Sequence, residues 1–406
     1  KVNKIKSNAG VEVPVVAVGK LGYPDLAEQA LRDNKCDMVM LARPLLADPE
    51  WPNKAYAGEC DKIRPCIGCH EACIKEFVDG GHPQCAVNPR TAFEEIFSKD
   101  IPLAPLSKRV AVIGAGPAGV VAAKTLVARG HDVTLFESEN EVGGTLRAGG
   151  APKIKYEIHN YMKYLQNEVR ELQKNPRFTL NLGTEATAES LKGRFDVIVV
   201  ATGSHIEKPK IEGVDNKNVV TVTEALLNPE LVKKAKDIVI VGGGDSGCET
   251  AYWAKLELNK NVQIVEMTEN LMASSCTANR GHILHYLDKS GVVAHNMSTV
   301  TRIEKDAVYI KKNVHSSVPN PYNTWQPILP ENIHNPLAPK ISERYENKLL
   351  PADLVILAIG TRPTDKIYYD LVSSNAAPQI VRIGDAIRPG KVFAATKSAY
   401  RTARDI

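Results

Sequence analysis

Four cysteines, Cys66, Cys69, Cys73 and Cys85, fall in the stretch 64–90, RPCIGCHEACIKEFVDGGHPQCAVNPR, with two, three and eleven residues between them. Three thiols within eight residues and a fourth a short loop later can wrap one compact inorganic centre. Four Cys thiolates hold [4Fe–4S] clusters in this manner. Two other readings stay open on spacing alone. One is a structural zinc site, although zinc knuckles favour two close pairs of ligands; the other is a set of buried, unreactive thiols.

The elements around this stretch must position it. A chain of 406 residues is expected to form two or three domains. Its composition is globular, 43% hydrophobic and 24% charged, and its net charge of +4 is spread among interspersed acids and bases, which suggests no nucleic-acid partner. No apolar run is long enough for a membrane span and no signal peptide is evident. Eight cysteines, four of them clustered, without export signals point to a metal centre in a reducing, cytoplasmic compartment rather than to disulfides. The chain begins at Lys1, inside what reads as regular structure, so its first 60 residues are expected to be the end of something larger.

Residues 13–21, VPVVAVGKL, read as a buried strand. Residues 24–34 have helical spacing, and 37–41 form a second apolar strand. Strand, helix, strand in this order is a βαβ unit and demands a parallel sheet, which two strands cannot stabilise alone. The remaining strands are expected elsewhere, in the same gene product or on another chain. Gly19-Lys20 and Ala42-Arg43 lie just past the carboxyl ends of the two strands, where a (β/α)8 barrel cradles a phosphate. They read equally as solvated loop ends.

The run LARPLLADPEWPNKA, followed by RPCIGCHEAC and CAVNPR, resembles the iron–sulfur branch of the Old Yellow Enzyme family, which includes 2,4-dienoyl-CoA reductase, 2-enoate reductase and trimethylamine dehydrogenase. The resemblance extends over the whole chain, and the cysteine spacing is its most specific part. It implies that residues 1–60 are the last βα units of an FMN-binding barrel, with Gly19, Lys20, Ala42 and Arg43 at the FMN phosphate. Ala42 stands where the family commonly has Gly. It also implies a [4Fe–4S] cluster in residues 61–105. Cys36 and Cys60 fall outside the spacing and read as ordinary thiols.

Past residue 106 a β-rich run enters Gly114-Ala-Gly116-Pro117-Ala118-Gly119, a helix follows, and a second strand ends at Glu137. A Gly-x-Gly-x-x-Gly turn between strand and helix, with an acid about 20 residues on, is the dinucleotide fingerprint. The helix N-terminus would meet a pyrophosphate and Glu137 a ribose diol. EVGGTLRAGG with Gly144 and Thr145, the turn Ala201-Thr202-Gly203, and Gly384-Asp385 near the C-terminus resemble FAD-binding folds of the disulfide-reductase type. That likeness implies an FAD domain in two parts, 106–212 and 352–406. No Cys-x4-Cys follows the first helix, so no redox disulfide is expected.

The pattern repeats at Gly242-Gly-Gly244-Asp245-Ser246-Gly247, with a following strand ending at Glu266. Two such units make a two-dinucleotide flavoprotein with an NAD(P)H domain at 213–351. Glu266 favours the 2′-hydroxyl of NADH over the 2′-phosphate of NADPH. Residues 352–363, with Gly360, read as the return to the FAD domain. The proline-rich segment 313–348 reads as a surface excursion, with a cover over the nicotinamide site or a contact to a neighbouring subunit of a homo-oligomer as alternatives. Cys248, His282, His285 and His295 are assigned no chemistry.

The expected fold class is therefore α/β: the end of a (β/α)8 barrel, a small Fe–S segment, and two Rossmann-like domains. The function this implies is NADH-dependent reduction of an activated C=C bond in a 2-enoate or enoyl-CoA. Electrons would pass from NADH through FAD and [4Fe–4S] to FMN. An electron-transfer module like the glutamate synthase small subunit and an amine dehydrogenase are the alternatives. The catalytic residues are expected in the part of the barrel outside this chain.

Overall fold

The protein is seen in a computed structural model that describes residues 10, 13–325, 333 and 335–406. Its first strands, β1 (Val16–Val18) and β2 (Met38–Met40), pair in parallel across the helix Pro24–Arg32. Side chains alternate across a strand, and the two faces here differ. Val39 packs on the small core of Ala27, Trp51 and Ile63, whereas Val16, Val18, Met38 and Met40 are 47–60% exposed. The burial expected of the first strand is thus not found, since none of Val16–Val18 is buried. Apolar β-branched runs predict strands, but burial also needs a covering layer, and among the described residues only one face has one.

The second unit contains β3 (Arg109–Ile113), β4 (Asp132–Phe136), β5 (Phe178–Asn181) and β6 (Val197–Val200). Both faces of β3 are buried, Val110 and Val112 in one core cluster and Ala111 and Ile113 in another. That is why it reads as an unbroken apolar run. The helix Pro117–Ala128 connects β3 to β4, and the helix Tyr156–Leu172 precedes β5. A short strand β7 (Ser204–Ile206) leads out of this unit.

A second parallel sheet follows, with β8 (Val219–Thr221), β9 (Asp237–Val241), β10 (Asn261–Val265) and β11 (Val293–His295). The helices Asp245–Tyr252 and Thr277–Lys289 lie between its strands. An antiparallel meander, β12 (Ser298–Ile303), β13 (Ala307–Asn313) and β14 (Tyr345–Pro351), packs over one face. The strand β15 (Leu354–Leu357) then enters the sheet, giving the order β11-β10-β9-β15-β8. The return expected at residue 352 therefore differs from the observed pairing: β15 lies between β9 and β8, inside the second sheet. The chain crosses back only at β16 (Thr361–Pro363), which pairs antiparallel with β7. It ends with β17 (Gln379–Arg382), which completes the first sheet in the order β17-β6-β3-β4-β5, and the helix Val392–Asp405.

The proline-rich segment connects β13 to β14, and residues 326–332 and 334 within it lie outside the described residues. Its first part is pinned to the second sheet domain. The buried Arg280 guanidinium donates to the carbonyls of Asn323 at 2.6 Å, Thr324 at 2.9 Å and Leu271 at 2.9 Å. Asn313 donates to the Ser342 carbonyl at 2.9 Å. No helix among the described residues is long and apolar enough to cross a membrane.

Candidate functional site

The cysteine loop is built onto the first sheet domain rather than hung between domains. Ile67, Ala86 and Val87 belong to the same core cluster as Val110, Val120 and Leu165, and Cys66, Cys69 and Cys85 pack against it. The buried Thr396 hydroxyl donates to the Ala86 carbonyl at 2.6 Å, tying the loop to the C-terminal helix. Gly68 and His70, at φ 61° and 56°, turn the chain twice in the left-handed region, and the π-helical turn Glu71–Lys75 brings Cys73 back. For His70 that conformation is uncommon and is held by the contacts described below.

All four thiols are free and line one small cavity with Arg43 and His70. No three His, Cys, Asp or Glu side chains among the described residues are grouped as around one metal ion. Burial pushes the Cys69 thiol up to about 12 and the Cys85 thiol up to about 11, and raises Cys73 as well. Neighbouring backbone amides, those of Glu71, Ile74, Val87 and Asn88 among them, oppose the shift. Thiolates in such a place need compensating positive charge, which a metal centre supplies. An all-sulfur donor set lining one cavity suits an iron–sulfur cluster. The residues present fit that group.

The two glycine turns have the same construction. A Cβ on Gly119 would stand 1.8 Å from the Gly114 carbonyl oxygen, and one on Gly247 1.9 Å from that of Gly242. Each helix therefore crosses its strand at a distance only glycine allows. The acids at the ends of β4 and β10 hold these loops: Glu137 accepts from the Ala115 amide at 2.7 Å, and Glu266 from the Gly243 amide at 2.6 Å. Glu266 also accepts from the Thr268 amide at 2.7 Å and its hydroxyl at 2.8 Å. Nothing lies within 4 Å of where a Cβ on Gly244 would stand, so backbone there is open to a ligand.

A single cleft of about 1640 Å3 runs from the first glycine turn to the cysteine loop and reaches the second turn at Asp245. Gly114, Gly116, Pro117, Ala118, Glu137, Gly144 and Thr145 line one part of it, and Ala201, Thr202, Gly203 and Asp385 another. Burial holds the Asp385 carboxyl above the usual carboxylate range, although the Ser204 hydroxyl and the Gly390 amide both donate to it at 3.1 Å. The cleft continues to Cys69 and His70 on one side and to Asp245 on the other. Gly384, at φ 58° with Ala118 and Ala395 against it, packs rather than lines. Gly242, Gly244, Ser246, Gly247 and Glu266 lie around the second turn outside this cleft, and Gly360 follows β15.

Of the four residues expected at a phosphate, Lys20 and Arg43 approach the cysteine loop. Lys20 pairs with Glu157, whose carboxylate lies against Gly68. Gly19 is exposed, and Ala42 caps the helix Arg43–Ala47. Asn279, from the helix Thr277–Lys289, donates to the Cys69 carbonyl at 2.8 Å. Its side-chain oxygen then accepts from His70 Nδ1 at 2.6 Å. With the proton assigned there by the network, His70 Nε2 is left to accept from the Arg43 guanidinium. Burial, reinforced by the Arg43 and Lys20 cations, holds the imidazole below its usual pKa against the opposing Asn279 bond.

Several residues that join the parts escaped the sequence reading. Lys391 pairs with Glu71 of the cysteine loop and with Asp245 of the second glycine turn, each at 2.9 Å. Burial opposes its charge, but the two carboxylates more than offset that and raise its pKa. Glu257 accepts from the Lys153 and Ile154 amides at 3.1 Å each, and Lys155 pairs with Glu249. These are long-range contacts between residues of unremarkable local pattern, and only the position of Lys391 just after Gly384-Asp385 hinted at a role.

Residues 108–377 match the pyridine nucleotide-disulphide oxidoreductase family, and residues 1–61 match the NADH:flavin oxidoreductase / NADH oxidase family. The chain is 30% identical to a metal reductase of Desulforamulus reducens, over 97% of this chain and 58% of that protein. It is 29% identical to a cinnamate reductase of Clostridium sporogenes, over 98% of this chain and 54% of that one. Among solved structures, a complex of 2-naphthoyl-CoA reductase with 2-naphthoyl-CoA superimposes with a TM-score of 0.83 at 27% identity, covering 99% of this chain and 56% of its own. The chain thus spans little more than half the length of these relatives. It belongs to the pyridine nucleotide-disulphide oxidoreductase family and carries, ahead of that fold, a segment of the NADH:flavin oxidoreductase family.

Proposed function

We propose that this chain is the NADH-oxidising part of a flavin and iron–sulfur reductase acting on an activated C=C bond, of the 2-enoate or enoyl-CoA kind. The observation that carries the reading is the continuous cleft from the first glycine turn, past Asp385, to Cys69 and Asp245. When bound, NADH, FAD, a [4Fe–4S] cluster and FMN supply the redox chemistry, in two-electron steps at the ends and one-electron steps between.

The chain's own residues do the holding. Gly116 opens the first helix N-terminus to the FAD pyrophosphate, and Glu137, which accepts from the Ala115 and Glu139 amides and the Ser138 hydroxyl, keeps that turn in shape and has one acceptor position left for the ribose. Asp385, which lines the cleft, would meet the flavin's ribityl chain, and Gly384 packs the turn that presents it. At the second turn, Gly244 leaves the backbone open to NADH, and the Glu266 carboxylate accepts from a 2′-hydroxyl but repels a 2′-phosphate. Cys66, Cys69, Cys73 and Cys85 would hold the cluster beside the FAD-domain core. Arg43, oriented by His70, and Lys20 support an FMN phosphate site next to that cavity, completed by Gly19 and Ala42. The exposed faces of β1 and β2 favour further barrel strands as the covering partner. The names of the cinnamate and naphthoyl-CoA reductases support the substrate class.

The test is activity of this chain reconstituted with FAD and iron–sulfide. It is expected to oxidise NADH with an artificial electron acceptor and to leave cinnamate unreduced, because the substrate pocket belongs to the rest of the barrel. Absence of any NADH oxidation, or reduction of cinnamate by this chain alone, would contradict the reading.

A further inference from the structure

The second glycine turn contains a conflict of charge. Asp245 is the first residue of the helix Asp245–Tyr252, at the end where a dinucleotide's diphosphate docks. A carboxylate there suits the helix dipole while the site is empty, but it repels a diphosphate that arrives. Two side chains hold it: the Ser275 hydroxyl, which donates to one oxygen, and Lys391, whose ammonium lies 2.9 Å from the other. Lys391 comes from the other half of the molecule, at the N-cap of the helix Val392–Asp405. Its second partner is Glu71 of the cysteine loop, also at 2.9 Å. An ammonium has three donors, so one remains after these two pairs, and Lys391 lines the cleft into which it can point.

We propose that Lys391 is a cross-domain determinant of nicotinamide-dinucleotide binding: it neutralises Asp245 and offers its remaining N–H to the ligand's diphosphate. The inference rests on the assignment of the second glycine turn to NADH. Lys391 makes an acidic glycine turn compatible with an anionic ligand. It also joins that ligand to the cysteine loop through Glu71, so that the dinucleotide is held by both halves of the protein. Without Lys391 the Asp245 carboxylate would face the diphosphate uncompensated.

Calorimetric titration of the FAD-loaded protein with NAD+, ADP and adenosine tests this. Lys391→Met is expected to weaken NAD+ and ADP by about tenfold, the size of one charge-assisted hydrogen bond. Adenosine, which has no phosphate, should bind as before. Lys391→Arg should retain most of the affinity, and Asp245→Asn in the Lys391→Met background should recover the part of the loss that comes from the uncompensated carboxylate, though not the part that the lost N–H supplied. Equal weakening of ADP and adenosine, no weakening, or no recovery in the double variant would overturn the proposal. If the unsubstituted protein binds neither NAD+ nor ADP, the NADH assignment fails as well, so the two failures are distinguishable.

Discussion

A Gly247→Ala variant is expected to lose nicotinamide-dinucleotide binding by at least about a hundredfold, equivalent to roughly 3 kcal/mol, while it keeps its flavin. The added methyl would stand 1.9 Å from the Gly242 carbonyl oxygen and 3.3 Å from Ala358 Cβ. Neither neighbour is the movable end of a side chain. The helix must therefore lift from β9, which displaces the amides that meet a diphosphate and loosens the Glu266 bond to Gly243. The first sheet domain shares no strand with this turn, so FAD absorbance should be unchanged. NAD+ titration and flavin content check the prediction together; affinity within threefold of the parent protein would refute it. The same substitution at Gly119 should instead abolish flavin retention, because its methyl would meet the Gly114 carbonyl at 1.8 Å inside the first domain.

Replacing any one of Cys66, Cys69, Cys73 or Cys85 by Ser should lower iron from about four atoms per chain to near none. Cys60→Ser, at an exposed thiol, should leave the iron in place. The expected loss is near total because a cluster with one ligand missing is left in a cavity that already disfavours thiolates, as the raised Cys69 and Cys85 pKa values indicate. FAD should still be reduced by NADH in these variants, since neither glycine turn involves the cysteines. Elemental analysis decides between metals: four irons with sulfide support the cluster, and one zinc per chain with no iron would replace it by the structural reading.

What the sequence made legible followed from short-range constraint. The two glycine turns and the cysteine loop are each built from residues close together in the chain, so their geometry is written within ten or twenty positions. The parallel strands were legible as strands but not in their order. β15 has the same apolar run and following glycine as a strand of the first sheet, and only its pairing between β9 and β8 assigns it. β1 reads as buried yet is not, because composition records a strand's preference and not what covers it. The connecting residues were invisible for a different reason. Lys391 meets Glu71 across 320 positions, and Asn279 meets the Cys69 carbonyl across 210. Lysine and asparagine are ordinary surface residues until the fold brings such partners together.

Electrons from NADH are expected to reach an iron–sulfur centre held by the four cysteines by way of the flavin. The direct measurement is anaerobic mixing of the reconstituted chain with NADH, followed by optical spectra and by electron paramagnetic resonance of samples frozen at successive times. The flavin should bleach first, and the signal of a reduced [4Fe–4S] cluster should follow. A bleached flavin beside a cluster that stays silent with NADH, yet gives its signal with dithionite, would contradict this route.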